Sequence, residues 1–146
     1  MNKAHQILLV EDNADDELLT IEALKNNHLA NDIIVARDGQ QALDYLFAEG
    51  DHSVRDISQQ PQIILLDLNL PKISGLDVLR RIRQHEHTRY IPTIILTSSS
   101  MEMDMIESYD LGANSYLCKP IDFDSFSEVI KQIGLYWLIL NRIPNA

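Results

Sequence analysis

The sequence predicts a doubly wound α/β domain, five parallel strands alternating with five helices. Three observations predict it. Five short apolar runs recur along the 146 residues, and an amphipathic stretch follows each of them. Three of the runs are continuous rather than alternating, the pattern of strands covered on both faces. Helix-starting residues stand where the helical stripes begin. Alternation of this kind implies a parallel sheet with helices on both sides.

The elements follow in order. Ile7–Val10 is the first apolar run, and the stripe Ala14, Leu18, Ile21 and Leu24 predicts the first helix. Asn13 can cap that helix, with Asp15, Asp16 and Glu17 in the first turn, where the dipole favours anions. Ile33–Ala36 is the second run, followed by Ala42, Leu43, Leu46 and Phe47 on a second helix. A polar, irregular loop from Glu49 to Pro61 leads to the third run, Ile63–Leu66. Ser74 with Asp77 reads as a capping box with Asp in place of Glu, opening a helix marked by Val78, Leu79 and Ile82. Thr93–Leu96 comes next, then a shorter stripe of Met105, Ile106 and Tyr109, with Gly112 at a left-handed stop. Ser115–Cys118 is the fifth run, and Phe123, Phe126, Val129, Ile130 and Ile133 begin the fifth helix.

Length and composition bound the function. One domain is expected over residues 1–146, with a core of about 5–133 and an apolar helical extension over 134–146. A chain of this size buries roughly two-thirds or more of its unfolded surface, so no metal or disulfide staple is required. Lys and Arg number 12 against 22 Asp and Glu, a formal charge of −10. Such a chain is a poor non-specific nucleic-acid binder and should avoid anionic membranes. The first apolar stretch is too short for a signal peptide, and no stretch approaches a bilayer span. Cys118 is the sole cysteine, expected as a buried small hydrophobe; a reduced cytoplasmic setting is the simplest reading.

In this architecture chemistry gathers beyond the carboxyl ends of the strands. Glu11-Asp12 ends strand one, Asp67 strand three, Thr97-Ser98 strand four and Lys119-Pro120 strand five. Three carboxylates, a hydroxyl and an ammonium would therefore share one shallow cleft. Unit charges about 4 Å apart at an effective dielectric of ~20 interact by roughly 4 kcal/mol, so the carboxylates call for a cation. Hard oxygen donors in an open site suit Mg²⁺, with Mn²⁺ a possible substitute. No histidine stands at these strand ends and Cys118 is the one cysteine near them, too few soft ligands for zinc. A metal beside a lysine is a place for a phosphoryl group, and a carboxylate can accept one covalently. Asp67, central on the most apolar strand, is the candidate.

The set Glu11-Asp12, Asp67, Thr97 and Lys119-Pro120 resembles the response-regulator receiver domain of two-component signalling. The loop Asp67-Leu68-Asn69-Leu70-Pro71, followed by Ser74-Gly75, resembles that family's loop after strand three. The resemblance runs from about Ile7 to Ile133. It implies a flavodoxin-like fold with strand order 2-1-3-4-5 and a sensor histidine kinase as partner. It implies Asp67 as phosphoacceptor, Asp12 as a direct metal ligand, Glu11 acting through water, and the Asn69 backbone carbonyl as a further ligand. Thr97 and Lys119 resemble the phosphoryl-sensing pair, Tyr116 the aromatic switch, and Pro120 the proline that follows a cis bond. Softer motifs, Tyr136-Trp137-Leu138 with Ile143-Pro144 and the long Glu49–Pro61 loop, resemble single-domain regulators paired with cyanobacterial phytochrome histidine kinases.

These expectations compose a switch. Phosphorylation adds about −1.5 to −2 charges; Thr97 swings toward them and Tyr116 turns inward. Few residues follow Ile133, so the expected output is protein contact. Gly134 is expected to interrupt the last helix, leaving Leu135 to Leu140 apolar on every face. A homodimer through helix four, strand five and helix five is expected, with Tyr136, Trp137 and Leu138 in the interface. Two rivals remain. A haloacid-dehalogenase-type phosphatase also uses an Asp nucleophile with Mg²⁺, but wants a second acid where Asn69 stands. A phosphorylation-independent adaptor or a flavodoxin is the other; the intact acidic and lysine set argues against the former.

Overall fold

Alternate residues of each strand feed two separate cores, one on either face of a single sheet. The computed structural model describes residues 6–28, 32–99, 101–119 and 122–144. The strands are β1 (Gln6–Val10), β2 (Asp32–Ala36), β3 (Ile63–Leu66), β4 (Thr93–Thr97) and β5 (Ser115–Cys118). The helices are α1 (Ala14–Asn26), α2 (Gly39–Leu46), α3 (Gly75–Gln84), α4 (Glu102–Asp110) and α5 (Phe123–Gly134). All strand pairs are parallel, in the expected order β2-β1-β3-β4-β5.

Leu8, Val10, Ile64, Leu66 and Ile95 pack with α2 and α3. Ile7, Leu9, Ile63, Leu65, Ile94 and Leu96 pack with α1 and α5 on the other face. This explains the unbroken apolar runs: neither face of the central strands meets water. The register sets Val10 against Leu66 and Leu66 against Ile95, so β1, β3 and β4 end nearly level.

The helix starts are as the sequence implies. Asn13 accepts from the Asp16 N–H and Ser74 from the Asp77 N–H. Gly112 ends α4 at φ +100°. The Glu49–Pro61 loop is irregular apart from a 3₁₀ turn at Gly50–His52. It is anchored by Arg55, whose guanidinium lies 3.7 Å over the Tyr45 ring, and by Gln60, which donates to the Leu46 carbonyl. This loop borders a solvent-open cavity of about 830 Å³ at the amino ends of the strands.

Several expectations are corrected. Leu18 of the α1 stripe is 57% exposed; the buried positions are Thr20, Ala23 and Leu24. Thr20 can face the core because its hydroxyl donates to the Asp16 carbonyl. The α4 stripe points outward: Met105, Ile106 and Tyr109 are exposed, and only Ser108 of that helix is buried, its hydroxyl spent on the Asp104 carbonyl. Gly134 does not interrupt α5. Its backbone is helical (φ −63°, ψ −42°), and the chain continues as a π-helical segment, Leu135–Leu140. That turn carries Leu138 into the core beside α5, so Leu138 offers no free contact surface, while Trp137 packs half-buried against that core. Tyr136 stays exposed, with Leu135, Ile139 and Leu140. Cys118 is exposed rather than buried, because it ends the edge strand β5. Pro120 lies outside the described residues. Among the described residues, no helix is long and apolar enough to cross a membrane.

Candidate functional site

The carboxyl ends of β1, β3, β4 and β5 converge. Backbone bonds extend the ladder past the strands: the Asp67 N–H donates to Val10, and the Lys119 N–H to Thr97. These bonds fix the directions of the residues that carry charge. Glu11, Asp67 and Thr97 are buried, while Asp12 is exposed at the rim. The turn after Asp67 is tight. The Gly75 N–H donates to the Leu68 carbonyl, and a Cβ on Gly75 would stand 2.2 Å from the Asp67 carbonyl oxygen. Only glycine permits α3 to start so close to the carboxylate.

Lys119 sits at the centre. Its ammonium donates to Glu11 at 2.5 Å, Asp16 at 2.8 Å and Asp67 at 3.0 Å. The Asn69 N–H donates to Asp67 Oδ1 at 3.2 Å, holding the carboxylate from the loop side. Thr97 is fully buried, and its hydroxyl accepts from the Ser99 N–H at 3.3 Å. Tyr116 is only 9% exposed and donates to the Ser99 carbonyl at 3.0 Å.

The electrostatics follow from burial and charge count. Burial pushes Glu11 up to about 7, against the pull of Lys119. Burial also works against Asp67, but hydrogen bonds from Lys119 and Thr97 outweigh it and hold that carboxyl below its usual range. Burial disfavours the Lys119 charge; its bonds to Asp16, Glu11 and Asp67 more than reverse this and raise its pKa. One ammonium thus serves several carboxylates, and the local charge stays negative.

That surplus fits a divalent cation. Oxygens of Glu11, Asp12 and Asp67 lie within 4.8 Å of one another, a hard donor set without sulfur or imidazole. The structure thus brings together Glu11, Asp12, Asp67, Asn69, Thr97 and Lys119, with Tyr116 one loop away. Tyr136, Trp137 and Leu138, the residues expected at a dimer interface, lie beyond α5, outside this cluster.

The sequence reading missed one member, Asp16. In the sequence it reads as a helix-dipole residue, yet its side chain holds Lys119. The signal lay in the cap: Asn13 fixes the first turn of α1, and Asp16 stands one turn past Asp12.

Comparison with known proteins decides the family. Residues 7–131 match the family described as the response regulator receiver domain. The chain belongs to that family. It is similar to the response regulator Rcp1 of Synechocystis sp., 38% identical over 145 residues, covering 99% of this chain and 97% of that one. Among solved structures, the phosphorylated cyanobacterial phytochrome response regulator RcpA is 37% identical, with a TM-score of 0.89 over 97% of this chain and 99% of that one. The Mn²⁺-bound form of Rcp1 is 37% identical, with a TM-score of 0.85 over 96% and 99%. This receiver domain is a phosphoacceptor of two-component signalling, a response regulator rather than a phosphatase of external esters.

Proposed function

We propose that this receiver domain takes a phosphoryl group from a sensor histidine kinase onto Asp67 and signals by changing its own contacts. The observation that carries the reading is the buried Asp67 carboxylate, 3.0 Å from the Lys119 ammonium and beside a three-carboxylate donor set. An Asp67 oxygen attacks the phosphorus of phosphohistidine; the P–O bond forms, the P–N bond breaks, and the departing imidazole regains its proton. Bound Mg²⁺, with Mn²⁺ able to replace it, would offset the negative charge of acceptor and phosphoryl group. Asp12 and Asp67 would hold it directly, Glu11 through water and Asn69 through its backbone carbonyl. Lys119 and Thr97 supply an ammonium and a hydroxyl to the phosphoryl oxygens. The activity ends there: the domain promotes its own phosphorylation and dephosphorylation.

Likeness to a cyanobacterial phytochrome response regulator supports a phytochrome-type kinase as partner and hence a light pathway. The buried Tyr116, bonded to Ser99 in the loop before α4, supports Thr97 and Tyr116 as the switch. The outward α4 face and the exposed Leu135, Tyr136, Ile139 and Leu140 support a homodimer through α4, β5, α5 and the segment after it. The charge of −10 supports output through protein rather than nucleic acid or membrane, in the cytoplasm. Phosphotransfer from a panel of autophosphorylated histidine kinases, phytochrome-type ones included, tests the assignment. Rapid acid-labile labelling from the phytochrome-type kinase is expected; labelling from none of the panel would overturn it.

A further inference from the structure

Lys119 has three N–H donors, and three carboxylates take them: Glu11, Asp16 and Asp67. Two of these three belong to the donor set that fits a divalent cation; Asp16 does not. Its side chain is 36% exposed, at the outer rim, whereas those of Glu11 and Asp67 are 3% and 6% exposed. A cation drawn to Glu11 and Asp67 competes with the ammonium for the same oxygens and repels it. Asp16 is then the carboxylate still able to hold the lysine.

We propose that Asp16 is a positioning residue for phosphorylation, an anchor that keeps Lys119 aimed at Asp67 while Glu11 and Asp67 turn to a divalent cation. The inference rests on the reading of Asp67 as phosphoacceptor and of Glu11, Asp12 and Asp67 as the cation site. It adds a residue that belongs to neither. Asp16 is well placed for the task. Its backbone N–H is tied to Asn13 and its carbonyl accepts from Thr20, so its Cα is fixed at the start of α1. Both bonds use the main chain and survive substitution of the side chain. Losing the carboxylate therefore removes the anchor and leaves the helix cap in place. Without Asp16 the ammonium remains on Glu11 and Asp67, opposing the cation, or swings into solvent.

The test compares the wild type with Asp16→Ala, Asp16→Asn and Asp16→Glu. Three quantities are read: Mg²⁺ affinity by calorimetry, phosphorylation by phosphoramidate at saturating Mg²⁺, and the ¹⁵N resonance of the Lys119 ammonium. Asp16→Ala should bind Mg²⁺ about tenfold more weakly, react more slowly with phosphoramidate, and lose the protected ammonium signal when Mg²⁺ is added. Asp16→Asn, which keeps an acceptor oxygen of the same shape, and Asp16→Glu should recover part of each. A purely structural role would lower the melting temperature without moving the lysine signal. Unchanged Mg²⁺ affinity and an unchanged ammonium signal in Asp16→Ala, beside a wild type that binds Mg²⁺ and is phosphorylated, would overturn the inference alone. Should Asp16→Ala fail to fold, Asp16→Ser, which also lacks the carboxylate, carries the same decision. A wild type that neither binds Mg²⁺ nor reacts would instead bring down the reading of the site.

Discussion

The Tyr116 hydroxyl donates to the backbone carbonyl of Ser99 at 3.0 Å, tying the middle of β5 to the loop that leads into α4. Thr97, two residues before Ser99, is bonded to the Ser99 N–H. One residue is therefore held from both sides, by the hydroxyl near the phosphoacceptor and by the aromatic ring under α4. Tyr116→Phe keeps the ring and removes the bond. It should cost about 1 kcal/mol of stability, leave Asp67 phosphorylation intact, and weaken the phosphorylation-dependent change at α4. Hydrogen exchange of the α4 amides, with and without phosphoramidate, measures the difference.

Asp67→Asn replaces an anionic nucleophile by a neutral amide of the same shape. Acid-labile phosphate incorporation should vanish, while the circular dichroism spectrum stays that of the wild type. Labelling at the wild-type level would show that another residue is the acceptor.

Lys119→Ala strips the counter-ion from Glu11 and Asp67, which are 2% and 5% exposed. Breaking a buried charge cluster this way costs about 3–5 kcal/mol. The melting temperature should fall sharply in EDTA and recover in part with Mg²⁺, by a larger increment than in the wild type. The variant should still accept phosphate yet fail to show the activated change in oligomer size.

Glu11 sets a pH dependence. Its carboxyl is raised from 4.5 to about 7 by burial, so the folded protein holds that proton more firmly than the unfolded chain. Where the folded state binds more protons, stability falls as pH rises. Chelated protein should therefore lose stability between pH 4.5 and about 7 from this group, with no further loss beyond. Urea midpoints measured across that window should flatten in Glu11→Gln.

The exposed apolar surfaces predict self-association. Ile139 and Leu140 are 58% and 63% exposed, and Met103 on α4 is 62% exposed. Ile139→Asp or Met103→Asp should leave the fold intact and shift the phosphorylated protein from dimer to monomer in light scattering at tens of micromolar. A monomeric phosphorylated wild type at that concentration would remove the dimer.

The sheet was legible because burial on both faces leaves an unbroken apolar mark, as in Ile63–Leu66. The site was legible because charged residues immediately follow those marks. Periodicity served less well where a helix rests lightly on the sheet. In α4 the apolar side faces out and Ser108 faces in, an inversion that hydropathy cannot signal when the hydroxyl is satisfied by Asp104. Thr20 deceived the reading of α1 in the same way. Leu138 looked available because Gly134 suggested a break, whereas the widened helical turn after it brings Leu138 back to the core. Asp16 escaped because one short acidic run serves two purposes, helix dipole and lysine partner, and only the spatial arrangement separates them.

The exposed Cys118 offers a practical consequence. Its thiol donates to the same Ser99 carbonyl that receives Tyr116, at 3.4 Å. With no second thiol in the chain, a maleimide fluorophore can be attached there without engineering. The dye would report in real time, by its emission, whenever the strap between β4 and α4 rearranges.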